Sequence, residues 1–184
     1  MTAGPEALFV PEKEERGNVI QMPPILKAED VYYRYSDMVY RLALARCRSV
    51  SDAEDVLQDV FTRYVRSDPS FDSAAHQKAW LIRATINCTN SLLTSAWRRH
   101  TTPLDELTAG AEAVGSDDEA VEVYAAVLRL PKNLRTVIHL YYYEGYRVNE
   151  IAELTNSNTN TVKSWLRRAR ERLEKDLKGD LFDV

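Results

Sequence analysis

Apolar residues recur along this chain at helical spacing, in stretches set apart by polar, proline-bearing or glycine-bearing segments. From about Lys27 to Arg48 the apolar positions are Val31, Tyr35, Met38, Val39 and Leu42, one face of a helix. Ser51 followed by Glu54 predicts a capping box that opens a second helix. Val56, Leu57, Val60, Phe61, Tyr64 and Val65 then share one face, and Asp55, Gln58, Asp59 and Thr62 the other. Asp68-Pro69 ends that helix, because the residue before a proline avoids the helical region. A polar connection, Ser70 to Gln77, leads to a third helix over residues 78–99, with Leu81, Ala84, Cys88 and Leu92 on its apolar side and Trp80 assigned to the core. Residues 101–115 carry small residues, Pro103, Gly110 and Gly115, and predict a flexible linker.

Beyond the linker, Ser116 and Glu119 predict another capping box, and Val121, Ala125 and Leu128 carry that helix to Leu130. Pro131 suits the first turn of the next helix, whose core positions are Leu134, Val137, Ile138 and Tyr141. Val148, Ile151 and Ala152 mark a short helix, broken at Thr155, Asn156 and Ser157. Asn156 suits the left-handed conformation such a turn needs. Val162, Leu166, Ala169 and Leu173 give the following helix an apolar stripe. Lys163, Arg167 and Arg170 form a row on another side, with Ser164 and Arg168 beside them. A short helix, a turn and a longer helix with a cationic face is the helix-turn-helix plan for the DNA major groove. A helical hairpin with a solvated basic face would show the same residues.

No segment alternates with period two, so no sheet is expected and the fold class is all-α. The chain divides into a flexible leader (residues 1–26), a helical domain (27–100), the linker (101–115), a helix-turn-helix domain (116–178) and a tail (179–184). Its 184 residues are 45% hydrophobic, enough for two small cores. The formal net charge is −4, yet the charge is segregated: Lys163 to Arg172 is strongly cationic and acids gather elsewhere. Such segregation steers one face toward a polyanion.

Cys47 and Cys88 lie far apart and predict reduced core residues rather than a disulfide or a zinc site. His76, His100 and His139 are isolated from one another, His139 is expected to pack within its helix, and no metal ligand set or phosphate loop is present. No catalytic residues and no cofactor are expected. The sequence lacks a run of about 18 apolar residues and any secretory pattern, so a cytoplasmic protein without membrane insertion is expected.

The stretches AEDVLQDVFTRYVR (Ala53 to Arg66), KAWLIRATIN (Lys78 to Asn87) and AWRRH (Ala96 to His100) resemble sigma-70 region 2. LRLPKNLRTVIHLYYYEGYRVNEIAEL (Leu128 to Leu154) with TVKSWLRRARERL (Thr161 to Leu173) resembles sigma-70 region 4. The two in this order, with little between them, resemble the extracytoplasmic-function (ECF) sigma factors, over about Lys27 to Leu177. The resemblance implies a region 2-like helical bundle and a region 4-like helix-turn-helix domain. Their partners would be core RNA polymerase, promoter DNA and an anti-sigma factor.

The resemblance also implies a division of labour among residues. Asp55, Gln58, Asp59 and Thr62 would meet the polymerase clamp, whose arginines suit carboxylates. Acids in a first helical turn also complement the helix dipole without any partner. Phe71, Ser73, Asn87, Asn90, Ser91, Thr94, Arg98 and Arg99 would capture unstacked bases and phosphates of a melted −10 element. Asn160, Thr161, Lys163, Ser164, Arg167 and Arg168 would read a duplex −35 element. Trp165, Thr155 and Ser157 depart from the family pattern, and the last two predict a weaker turn, by about 1 kcal/mol for each missing aliphatic group. Two other functions use part of the pattern. A helix-turn-helix repressor or activator needs only the second domain. A sigma-like module that holds polymerase without selecting promoters would bind core polymerase without promoter-specific transcription.

Overall fold

The computed structural model describes residues 28–99 and 118–180, and every regular element among them is helical. The leader, the linker at residues 101–115, the capping box at Ser116 and the last residues of the tail lie outside the described residues.

The first half is a bundle of α1 (Ala28–Cys47), α2 (Val50–Ser67) and α3 (Ala74–Arg99). Its centre is Val31, Val39, Leu42, Val56, Val60, Leu81 and Ile82, all essentially without exposed surface. Each such side chain stabilises the bundle by about 1.5–3 kcal/mol relative to exposure. The five apolar positions predicted on α1 are all buried.

Two helix starts differ from expectation. α2 is capped by Ser49, not Ser51: the Ser49 hydroxyl accepts the Asp52 N–H at 3.2 Å. The reason is Arg48, whose φ of 62° reverses the chain immediately after α1 and leaves the next residue in extended backbone, ready to cap. α3 begins at Ala74, earlier than its apolar stripe suggested, because the Ser73 hydroxyl accepts the His76 N–H at 3.2 Å and caps it. Asp68, with φ 40°, closes α2 as expected. Val65, expected on the apolar face, is instead 62% exposed, at the rim of that stripe.

The second half comprises α4 (Asp118–Arg129), α5 (Lys132–Ile138), a π-helical turn at His139–Tyr143, α6 (Val148–Leu154) and α7 (Thr159–Asp180). The stripe of α7 packs as predicted, with Val162, Leu166 and Ala169 buried among Leu134, Val137, Leu140 and Ile151. The π turn is not foreshadowed by the periodicity. It rotates the end of α5, so Tyr141 is only half-buried while His139 is buried. The ring of His139 stacks on Tyr143 at 5.4 Å.

The two halves meet. α1 packs on α5, and α3 touches α6. Arg135 of α5 donates to the carbonyls of Ala45 (2.5 Å) and Arg46 (3.0 Å) in the last turn of α1. Lys78 of α3 pairs with Glu144, just past the π turn, at 2.8 Å. A linker of flexible composition therefore joins halves that touch each other.

Candidate nucleic-acid interface

The turn before α7 is built by backbone bonds that the residue types permit. Asn156 adopts φ 51°, as expected. Ser157 N–H reaches the carbonyl of Ala152 at 2.9 Å, and Asn156 N–H that of Glu153 at 3.4 Å, which together make a Schellman closure of α6. Thr155 and Ser157 are half-buried, and their hydroxyls bond the carbonyls of Ile151 (2.7 Å) and Thr155 (3.3 Å). The turn thus satisfies its polar groups where an aliphatic residue would have supplied burial. Asn158 then caps α7, its Oδ1 accepting the Thr161 N–H at 2.7 Å.

This cap sets the entry of α7 and creates a shallow depression of about 680 Å³ lined by Asn158, Thr159, Asn160, Thr161, Ser164, Trp165 and Arg168. Four of the six residues expected to contact a duplex line it, and Lys163 and Arg167 lie exposed beside it. Asn158 and Thr159 were not singled out from the sequence. Asn158, three residues before Thr161, carries the N-cap signature that would have identified it.

The cationic row divides by partner. Arg167 pairs with Glu171 at 2.5 Å, but both side chains are more than half exposed, so the pair contributes little and its guanidinium can exchange partners. Arg170 is engaged: its Nε donates to the Tyr142 hydroxyl at 2.9 Å, and its guanidinium lies 5.8 Å from the ring centres of Tyr141 and Tyr142. The face open to a polyanion is therefore Lys163, Arg167 and Arg168.

On the first half, Asn87, Asn90, Ser91 and Thr94 lie along the exposed side of α3. Two of them already have partners. The Asn90 Oδ1 accepts from Arg46 Nη2 at 2.8 Å and from Lys132 Nζ at 3.1 Å, and the Thr94 hydroxyl bonds the Asn90 carbonyl at 2.8 Å. Ser73 is spent on the cap of α3. Phe71 is half-buried, stacked on Tyr64 at 6.3 Å and edge-on to Trp80 at 6.2 Å. Trp80 packs against the core, as expected. Arg98 and Arg99 fall on the last turn of α3, and their side chains lie outside the described residues.

On α2, Asp55, Gln58 and Asp59 are exposed and Thr62 is half-buried. Gln58 and Thr62 line an apolar groove of about 480 Å³ together with Tyr32, Leu57, Phe61 and Val65. Tyr32 stands edge-on to Phe61 at 4.9 Å and forms one wall. The periodicity of α2 alone does not reveal this groove, because its other wall comes from α1.

The charged groups between the halves differ in kind. Arg46 and Arg135 are each only 4% exposed. Burial lowers both guanidiniums to about 10, and both stay charged at neutral pH. Burial pushes the Cys47 thiol beside them up to about 11, which leaves it unreactive as a nucleophile. Burial also pushes the Glu144 carboxyl up, but His139 and Lys78 outweigh that and hold it below its usual range. Lys78 is the stronger partner, because His139 Nε2 stands at 3.6 Å, beyond hydrogen-bond distance. Among the described residues no group of histidine, cysteine and carboxylate side chains could hold a metal ion, and no helix is long and apolar enough to cross a membrane.

Residues 31–99 match the family described as Sigma-70 region 2, and residues 120–173 match that described as Sigma-70, region 4. The chain is 30% identical over 145 residues to the ECF RNA polymerase sigma factor SigM of Mycobacterium tuberculosis, covering 79% of this chain and 74% of that one. It is 32% identical over 167 residues to the ECF RNA polymerase sigma factor SigW of Bacillus subtilis, covering 81% of this chain and 88% of that one. Among solved structures, the sigma factor RpoE of Bartonella quintana, in complex with the anti-sigma factor NepR, has the same fold. Its TM-score is 0.66 at 22% identity, over 85% of this chain and 98% of that one.

Proposed function

This chain belongs to the sigma-70 family, in its ECF class, and we propose how its residues divide the work of a promoter-directing sigma factor. It binds core RNA polymerase and directs promoter-specific initiation. The observation that carries this is the ordered pair of regions on one chain, with the open cationic face of α7 on the second.

In this reading α7 enters the major groove of the −35 element. Asn160, Thr161, Lys163, Ser164, Arg167 and Arg168 meet bases and phosphates there, and Asn158 and Thr159 flank them. The exposed side of α3 takes single-stranded bases of the −10 element through Asn87, Asn90 and Ser91, with Arg98 and Arg99 toward phosphates. Phe71, Ser73 and Thr94 serve that surface mainly as supports, given the partners they already hold. Asp55 and Asp59 meet polymerase arginines, while Gln58 and Thr62 sit over the apolar groove between α1 and α2. The chain works in the cytoplasm, contributes no chemistry of its own, needs no cofactor, and is held in check by an anti-sigma factor. Reconstituted transcription with core polymerase on a genomic library tests it: promoter-specific transcripts that depend on this chain are expected. Polymerase binding without such transcripts would leave only a polymerase-holding module.

A further inference from the structure

Thr161, Ser164 and Arg168 line the depression at the start of α7, and Trp165 stands among them. The four share one helix face, at i, i+3, i+4 and i+7 from Thr161. The other lining residues, Asn158, Thr159 and Asn160, come from the cap and the first turn. All of these but Trp165 are polar or charged. Trp165 departs from the family pattern, and no promoter contact proposed for α7 uses it.

The Trp165 ring is half-buried: part of it packs against the core, and the rest faces the depression. Among the described residues its indole N–H has no hydrogen-bond partner, and no ring or cation stacks on it. Trp80 of the first half, by contrast, is engaged by Tyr64 and Phe71. Packing already holds the Trp165 ring, and a side chain with two torsions loses little freedom on binding.

Base edges in the major groove display donors, acceptors and one apolar group, the 5-methyl of thymine. An apolar ring among polar neighbours on a recognition helix therefore has one base-specific partner. The indole N–H reinforces the choice: it donates and cannot accept, so it gains nothing from the amino groups of adenine or cytosine. A contact of that N–H with a phosphate would be blind to the methyl group, which separates the two by experiment.

We propose that Trp165 is a specificity-determining residue: its ring packs on the 5-methyl of one thymine in the −35 duplex and selects thymine over cytosine there. This rests on the assignment of α7 to that duplex, which Arg168 tests independently.

Deletion of single methyl groups from the DNA tests it without altering the protein. The full-length chain on core polymerase first selects its site from duplexes randomised over the −35 region. Each thymine of the selected site, on either strand, is then replaced by deoxyuridine, which lacks only the 5-methyl. One replacement is expected to weaken holoenzyme binding about fourfold, the loss of one buried methyl. Trp165→Ala and Trp165→Arg should bind the thymine and deoxyuridine duplexes equally. The arginine keeps an apolar stem over the helix, so it serves even where the alanine variant unfolds. Arg168→Ala should weaken binding to both duplexes by the same factor and preserve their ratio. The proposal is overturned by a selected site without thymine, by a site in which no methyl matters, or by a methyl effect that survives Trp165→Arg. In each of these cases a loss in Arg168→Ala still keeps α7 on the duplex. If neither Arg168→Ala nor either Trp165 variant alters binding to the selected site, α7 is not the reading helix and the proposal falls with it.

Discussion

Arg170 and Tyr142 are joined across 28 residues of sequence by a hydrogen bond of 2.9 Å from the guanidinium to the phenol oxygen. The pair lies at the back of α7, against the π turn, and removes one arginine from the cationic row that the sequence displays. Arg170→Ala should therefore destabilise the second half, by about 1–2 kcal/mol for a cation–π interaction and a hydrogen bond together. It should leave duplex affinity nearly unchanged. Arg168→Ala, in the depression, should do the opposite. Thermal melts and duplex titrations of the two variants decide the matter, and equal effects on DNA would place Arg170 on the binding face after all.

Asp55 and Asp59 project into solvent from α2. Replacing both with Lys should leave stability within about 0.5 kcal/mol, as surface changes usually do. Capture of core polymerase should drop sharply. Val65→Asp, at the rim of the apolar groove, should weaken capture as well if polymerase also uses the groove wall. Undiminished capture by the folded D55K/D59K protein would move the polymerase-binding surface elsewhere.

The Lys78–Glu144 bridge carries a pH signature. Its carboxyl is held below the ordinary value in the folded chain, so its contribution is fully present above the ordinary carboxylate range, about pH 4.3. It is lost as pH falls through the lower, folded-state value. The groups facing it are Lys78, His139 and Tyr146, whose phenol is pushed up to about 12 by burial, then by Glu144 and Glu150, and stays protonated throughout. Scattering between neutral pH and about pH 3 should show the junction loosening only at the acid end. Glu144→Gln should be loosened at neutral pH and lack that acid step.

Asn156 is the position where residue type announced backbone shape. With φ 51° it needs a residue tolerant of the left-handed region, and asparagine is one. Asn156→Gly should be close to neutral, and Asn156→Val should cost about 1–2 kcal/mol, read as a lower melting temperature of the second half.

What was legible follows the range of the interactions. The stripes Val31 to Leu42 and Val162 to Leu173 are local patterns, and they packed as their spacing predicts. The cap of α2 was ambiguous locally: Ser49 and Ser51 each have an acid three residues on, and the left-handed Arg48 selected Ser49. Arg46 and Arg135 look like ordinary helical arginines in sequence. Their partners are distant in sequence, 43 residues away for Arg46 and Thr89 and 90 for Arg46 and Thr136, and no local signal encodes that. The groove behind Gln58 was hidden for the same reason, since Tyr32 of α1 completes it. In each case the legible features are those satisfied within one helix or turn.

Arg167 and Arg168 sit on one half and Asn87 and Asn90 on the other, so the two promoter elements should be separable by mutation. Changing both arginines to Ala removes cations from the open face of α7. Affinity for a −35 duplex should fall by roughly 1–3 kcal/mol for each arginine that reads a base edge. The salt dependence of binding should flatten, because fewer counterions are released. Arg167 has only a solvent-exposed bond to Glu171 to give up, so little of its binding energy is diverted within the protein. Changing both asparagines to Ala should leave the −35 duplex untouched and lower the yield of open complex, read by permanganate reactivity of unpaired thymines. Asn90→Ala also removes the acceptor shared by Arg46 and Lys132, so this variant should be looser when free while opening promoters less well. A protein that is looser yet poorer at melting DNA separates the two roles of that side chain. Normal open-complex yield from the asparagine variant on both linear and supercoiled templates would remove Asn87 and Asn90 from the −10 surface, whatever the scattering shows.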